Sequence, residues 1–203
     1  MRTRKIGTAA ATTYSYLGDS EVVARLDDGI GGSPDVSSVL GADASRLMAV
    51  QTAPTSASGF TVPDLHGNVA AALSTAGVIN AALRYDGFGV LASTPYAAAG
   101  SPAMQWRFQG RLDVADGTNA PVLYDMSARN YSPGLGAFTS LDTVMGSAAD
   151  PRSMNRYLYA AANPWSLVDP TGHCYDATTD RFVGTGGGNC EARMPRASLP
   201  SGG

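Results

Sequence analysis

The sequence predicts an all-β fold of short antiparallel hairpins, and three observations carry that prediction. Its apolar runs are short and broken repeatedly by Gly, Asp, Asn and Pro, with no long 3.6-residue pattern. Charged residues make up 15% of the chain, against roughly 25% in an average soluble domain. Lysine occurs only at Lys5 and glycine 24 times in 203 residues, so residues that populate exposed helices are scarce and turn formers abundant.

In chain order, Tyr14-Ser15-Tyr16 and Glu21 to Leu26, closing on Asp27-Asp28-Gly29, read as a strand pair ending in a turn. Gly31 to Gly59 and Ser93 to Pro102 read as long loops, or in the first case as poorly aligned strands. The alanines between Asn68 and Tyr85 favour helix, but Ser74-Thr75-Ala76-Gly77 interrupts them midway and Val78-Ile79 follow, so this segment reads as a hairpin. Further strands are expected at Met104–Phe108, Pro121–Tyr124, Tyr157–Tyr159 and Trp165–Val168. A faint internal echo connects Tyr14 and Tyr85, each followed four residues on by glycine and then by an apolar pair. After His173 the composition turns to that of a flexible linker, from Gly184 to Asn189 and from Ser198 to Gly203. The organisation expected is therefore 1–63 as degenerate strands and loops, 64–173 as a core region, and 174–203 as a flexible tail.

Charge and composition exclude several roles. With a net charge of −3 and scattered basic residues, no face can neutralise several phosphates, so nucleic acid is not an expected partner. No run of 18 apolar residues is long enough for a membrane-spanning helix. The basic start Met1-Arg2-Thr3-Arg4-Lys5 lacks the apolar stretch of a secretory signal. Cys174 and Cys190 have the option of pairing in an oxidising compartment.

Several segments together resemble the Rhs (YD-repeat) family of bacterial proteins, specifically its repeat-associated core region. They are Asp64-Leu65-His66-Gly67-Asn68-Val69, Arg84-Tyr85-Asp86-Gly87-Phe88-Gly89, Phe108-Gln109-Gly110-Arg111-Leu112-Asp113, and the run from Leu123 to Phe138. Asn155-Arg156-Tyr157-Leu158-Tyr159 and the run from Asn163 to Gly172 complete the order. The resemblance implies a spiral of β-hairpins closing into a hollow shell, with a C-terminal plug curling inward. In many members a toxin comes after the plug. The chain then reads as the terminal piece of a larger shell, secreted or at the cell surface of a bacterium. Its partners would be the rest of the shell, a downstream toxin payload, or further copies through open β-edges.

The resemblance also implies self-cleavage. Members with the pattern Pro-x4-Asp-Pro-x-Gly cut their own chain one residue after the glycine, using paired aspartates. Pro164, Asp169, Pro170 and Gly172 match that pattern, which places the scissile bond at His173–Cys174 and assigns the aspartyl dyad to Asp142 and Asp169. Two carboxyls sharing one proton act as base on a water and acid on the leaving amide. Asp169 also fits the first position of a type I turn, where its carboxylate caps backbone donors. The chain departs from the pattern at Leu141, where many cleaving members have Arg, at Thr143 and at His173, and it carries an insert at 146–151. Arg152 and Arg156 are candidate substitutes for the missing arginine.

No cofactor or metal is expected. Cys174, Cys190, His66 and His173 fit no common zinc spacing, Gly18-Asp19-Ser20 lacks the partner of an esterase block, and Gly184 to Asn189 lacks the Lys of a phosphate loop. His66 is expected to order a turn, and Trp106, Phe108, Trp165, Tyr157 and Tyr159 to fill the core. Against self-cleavage stand two other functions, a non-catalytic remnant of a shell and a secreted carbohydrate-binding module.

Overall fold

The computed structural model describes residues 2–6, 10–16, 23–27, 36–40, 46–51, 57–92, 96–97, 105–115, 121–143, 145, 148, 151–169, 172–173 and 191–192. The fold is all-β, as expected. The chain forms two compact units, Met1–Asp125 and Met126–Gly203.

The first unit is a meander of nine strands in which every strand pairs with its neighbours in sequence: β1 (Arg2–Ile6), β2 (Ala10–Tyr16), β3 (Val23–Asp27), β4 (Val36–Leu40), β5 (Arg46–Gln51), β6 (Ala57–Pro63), β7 (Val69–Ser74), β8 (Ile79–Ala82) and β9 (Tyr96–Ala97). The expected pair of strands before Asp28 is β2 and β3, antiparallel with Tyr14 opposite Leu26. Between Gly31 and Gly59 the strand alternative holds over the loop, as β4, β5 and the start of β6. Their alternation is diluted by Ser and Ala, so the apolar period is faint while the β-branched Val36, Val39 and Val50 still favour extended backbone. β9 falls within the expected loop Ser93–Pro102.

The hairpin at 68–85 is β7 and β8, with Ala72 opposite Ala81. Helix propensity loses here because the turn is closed by specific bonds. Ser74 Oγ accepts the Val78 amide at 3.1 Å, the Gly77 amide donates to the Ser74 carbonyl at 2.9 Å, and Gly77 supplies a φ of +78°. Small side chains suit the close pairing. A Cβ on Gly59 would stand 3.0 Å from the Leu73 carbonyl oxygen across the β6–β7 pair. The period of two is visible in the burial of β6, where Thr61 is buried while Phe60 and Val62 are exposed.

The same five-residue turn recurs along the chain. Asp64 Oδ1 accepts the amides of His66 and Asn68 at 2.8 and 3.0 Å, and Asp86 Oδ1 accepts those of Phe88 and Val90, each at 2.9 Å. In both, the residue at the fourth position is a glycine with positive φ, Gly67 and Gly89. His66 thus contributes its backbone to an ordered turn. For the Tyr14 half of the sequence echo, Gly18 lies outside the described residues.

The core of this unit is aromatic. Phe108 and Tyr124 are fully buried and Trp106 nearly so, with ring centroids 6.1 Å apart for Tyr85–Phe108 and 5.9 Å for Phe108–Tyr124. The expected strand at Met104–Phe108 is not formed as such. Trp106 makes a single bridge to Leu112, and Phe108–Gly110 close a 3-10 turn because the Arg107 amide bonds the Arg111 carbonyl at 2.9 Å. The strand expected at Pro121–Tyr124 lies further on, as β10 (Tyr124–Met126).

In the second unit β11 (Arg129–Ser132) pairs with β12 (Ala137–Phe138). Tyr131, Phe138 and Tyr159 pack around them, with the Tyr131 and Tyr159 ring centroids 4.3 Å apart. The strand expected at Tyr157–Tyr159 is reduced to one bridge from Leu158 to Ala137. Tyr157 and Trp165 are 44% and 69% exposed, so neither belongs to the core. Both stand in turns, where the side chain points away from the packed layer. The last expected strand is β13 (Leu167–Val168), which pairs with β14 (Glu191–Ala192), so the linker-like tail returns one short strand to this unit. Among the described residues no helix is long and apolar enough to cross a membrane.

Gly89 couples the repeated turn to the core, since a Cβ there would come within 2.6 Å of the Phe108 ring at a φ of +90°. Gly89→Ala is expected to destabilise the chain by about 2–4 kcal/mol, measured by urea unfolding. Gly77→Ala, whose Cβ meets nothing within 4 Å, is expected to cost only the strain of positive φ, about 1 kcal/mol.

Candidate functional site

Arg129 begins β11 directly after the turn from β10, and its position on the inward face of the strand buries it. A buried guanidinium requires acceptors for its donors. Here Nη2 is 2.8 Å from Asp142 Oδ2 and 3.6 Å from Asp169 Oδ2. Nη1 donates to the Arg156 carbonyl at 2.8 Å, and Nε donates to the Gly172 carbonyl. The guanidinium carbon lies 3.6 Å from the centroid of the Phe138 ring, which adds a cation–π contact.

Asp142 and Asp169 are brought together by this arginine. Both are buried, and their Oδ2 atoms share one nitrogen as a neighbour, so the oxygens are no further apart than those two distances laid end to end. That is under the roughly 7 Å beyond which two carboxyls cannot work on one water. Asp142 is fixed through its backbone as well. Its amide donates to the Arg156 carbonyl at 3.1 Å, and Arg156 Nε returns a bond to the Asp142 carbonyl at 2.9 Å.

Asp169 opens a further copy of the repeated turn. Its Oδ1 accepts the His173 amide at 3.0 Å, and Gly172 at the fourth position has a φ of +76°. A Cβ on Gly172 would stand 2.7 Å from the Met126 carbonyl oxygen and 3.2 Å from the Arg129 amide, so this position admits glycine alone. Asp169 Oδ2 is buried and, among the described residues, has no hydrogen-bond donor. Burial pushes the Asp169 carboxyl up to about 6, against the pull of Arg129 and of the Gly172 and His173 amides, while the Asp142 carboxylate adds to the rise.

His173 completes the cluster, with Nδ1 2.7 Å from Asp142 Oδ1 and its side chain 25% exposed. Of the remaining motif residues, Pro164 is fully buried in the turn before β13, whereas Pro170, Cys174, Cys190 and most of the insert at 146–151 lie outside the described residues. Leu141 is 49% exposed and stands outside the carboxylate cluster. Of the two arginines expected as substitutes, Arg156 engages the Asp142 backbone and Arg152 is exposed. The cation between the carboxylates is Arg129, which the sequence motifs did not single out. Its signal was its place in the run Leu123 to Phe138, directly after a tight turn and before two aromatic-rich strands. Among the described residues no group of three or more His, Cys, Asp or Glu has a metal-holding arrangement.

The comparisons with known proteins agree with this architecture. A stretch of 109 residues, 53% of the chain, is 36% identical to the tRNA3(Ser)-specific nuclease WapA of Bacillus spizizenii and spans 4% of that protein. The tRNA nuclease WapA of Bacillus subtilis is 35% identical over 109 residues, again 4% of its length. Among solved structures, the TcdB2-TccC3 crystal structure superposes with a TM-score of 0.56 at 20% identity, covering 84% of this chain and 8% of that one. The TcdB2-TccC3-Cdc42 crystal structure gives a TM-score of 0.55 at 21% identity, covering 80% and 8%. No family model matches the chain. Over about half of its length the chain is thus similar to the WapA tRNA nucleases, and it spans only a small part of those relatives and of the matched structures.

Removing Arg129 would leave two buried carboxyls without their cation. Arg129→Met is expected to destabilise the chain by about 3–5 kcal/mol at pH 7, and by less at pH 5, where Asp169 is neutral. Asp169 gives a second, signed expectation. Its folded value of about 6 exceeds its ordinary 3.8, so the neutral form favours the fold, and that contribution is full below about 4 and lost as pH rises through about 6. Relative to Asp169→Asn, the unsubstituted chain is expected to lose thermal stability across that window in a melting series.

Proposed function

We propose that this chain is the C-terminal core segment of an Rhs-type shell and that it hydrolyses its own His173–Cys174 bond with Asp142 and Asp169. The observation that supports this reading most is the meeting of two buried carboxyls, from separate elements, at one buried guanidinium nitrogen. Asp169 is the better proton donor, because burial raises it to about 6 and, among the described residues, its Oδ2 carries no competing donor. Asp142, ion-paired with Arg129, is the base.

In the step proposed, Asp142 takes a proton from a water as its oxygen bonds to the His173 carbonyl carbon. The carbon–nitrogen bond to Cys174 then breaks as Asp169 gives its proton to the departing nitrogen. The products are a carboxyl group on His173 and an amine on Cys174, with the dyad's proton returned from Asp142. The Asp169 turn holds the amide of His173 at 3.0 Å, so the residue that contributes the scissile carbonyl is anchored to the acid itself. The polypeptide beyond His173 would be released from the shell. The nuclease named for the WapA relatives is an example of the cargo such a segment would precede, in a secreted or surface-displayed bacterial system.

A second reading rests on the same turn. Asp169 Oδ1 is used as in Asp64 and Asp86, which cap turns with no chemistry attached, so the cluster also suits a purely structural lock that holds the end of the core. Intact mass of the expressed chain separates the two. Self-cleavage predicts a product ending at His173 that Asp142→Asn and Asp169→Asn each abolish. A full-length mass from a folded sample establishes the lock instead, and a break at Asp169–Pro170 marks ordinary acid lability. Because Asp169 acts as the acid, the rate is expected to fall about tenfold per pH unit above about 6.

A further inference from the structure

The carboxylate cluster is crowded in one respect that the dyad chemistry does not need. Asp142 Oδ2 is taken by Arg129 at 2.8 Å, and Asp142 Oδ1 is taken by His173 Nδ1 at 2.7 Å. Asp169 Oδ1 is likewise occupied, by the His173 amide. For Asp142 to act as base, one of its oxygens must receive a hydrogen bond from the attacking water. The Arg129 bond is not the one to open. That guanidinium is 97% buried, given a side-chain exposure of 3%, and is tied at the same time to the Gly172 and Arg156 carbonyls. The imidazole has a quarter of its surface in solvent and, among the described residues, Asp142 as its side-chain tether, so it is the partner with a way out.

We infer that His173 is a gate on this site, its imidazole occupying the Asp142 oxygen that must hold the attacking water. The inference rests on the self-cleavage reading and adds its regulation. Cleavage then proceeds from the fraction of molecules in which the ring has swung to solvent while the His173 backbone stays on Asp169. The charged groups around the ring are Asp142 in direct contact, Asp169 through its bond to the His173 amide, and Arg129 and Arg156 behind the two carboxyls.

The consequence is a cleavage rate set by the ring's hold on Asp142. His173→Leu, which removes that hold, is expected to cleave about threefold faster or more than the parent. His173→Gln, which keeps a donor for Asp142, is expected to cleave more slowly than His173→Leu. Both variants are followed by intact mass over time. A second measurement is independent of cleavage: in the Asp169→Asn chain, proton NMR should show a strongly downfield imidazole N–H from His173 that vanishes when Asp142→Asn is added. Cleavage that keeps the parent rate in both variants overturns the gate and leaves the dyad standing. Absence of the downfield proton overturns it too. Failure of the parent and both variants to cleave overturns the dyad reading and the gate together.

Discussion

The second unit is organised by one buried cation. Arg129 has few ways to exist inside a protein, since its charge cannot be removed by titration and its five donors lie in a fixed plane. Every neighbour it recruits is consequently constrained. Asp142 supplies the counter-charge, the Gly172 and Arg156 carbonyls take two more donors, and the Phe138 ring covers the face. These partners come from segments distant in sequence, and each segment is itself too short to be stable alone. Desolvation pulls against the arrangement, as the lowered proton affinity of the guanidinium indicates. The compensation comes from the completeness of its hydrogen bonding and from the carboxylates beside it.

The carboxyl that stands opposite is built from the fold's own punctuation. Asp64, Asp86 and Asp169 each begin a five-residue turn in which Oδ1 accepts an amide four residues on, and a glycine with positive φ sits one residue before that amide. What differs is the second oxygen. In Asp64 the Oδ2 atom accepts the Asn68 side chain at 2.8 Å, which satisfies it at the surface. In Asp169 the turn is buried, the fifth residue is His173 rather than Asn, and Oδ2 is left facing Arg129. A structural turn thereby acquires a carboxyl with altered proton affinity, without any new backbone geometry.

How much of this was legible in the sequence depends on which signals are local. The hairpin at 68–85 could be read despite its alanines because Ser74 and Gly77 fix the turn, and turn chemistry is local. The strands between Gly31 and Gly59 were hard to read because Ser and Ala blur the alternation, and their pairing is settled by the neighbouring strands. Trp165 and Tyr157 were placed in the core on size alone, yet both stand in turns and are exposed. At the site, Asp142, Asp169 and His173 were named from spacing and resemblance. Arg129 carries no local signal, because its charged partners lie thirteen or more residues away and an arginine in a strand has no local mark of burial. Leu141 points to a missing cation, but Arg152 and Arg156, on the C-terminal side of Asp142, do not supply it.

The charge balance of the cluster ties its two unusual features together. One guanidinium and two carboxyls leave a single negative charge in a region nearly closed to water, and that charge is balanced by one proton. Burial favours the Asp169 carboxyl as its seat, while Asp142 is held by Arg129 at 2.8 Å and by the His173 ring at 2.7 Å. Exposure separates the two ends of the cluster, because Asp169 is sealed from solvent and His173 is not. Whatever excludes water further from this end of the core favours the neutral Asp169 carboxyl, and whatever opens it favours the carboxylate.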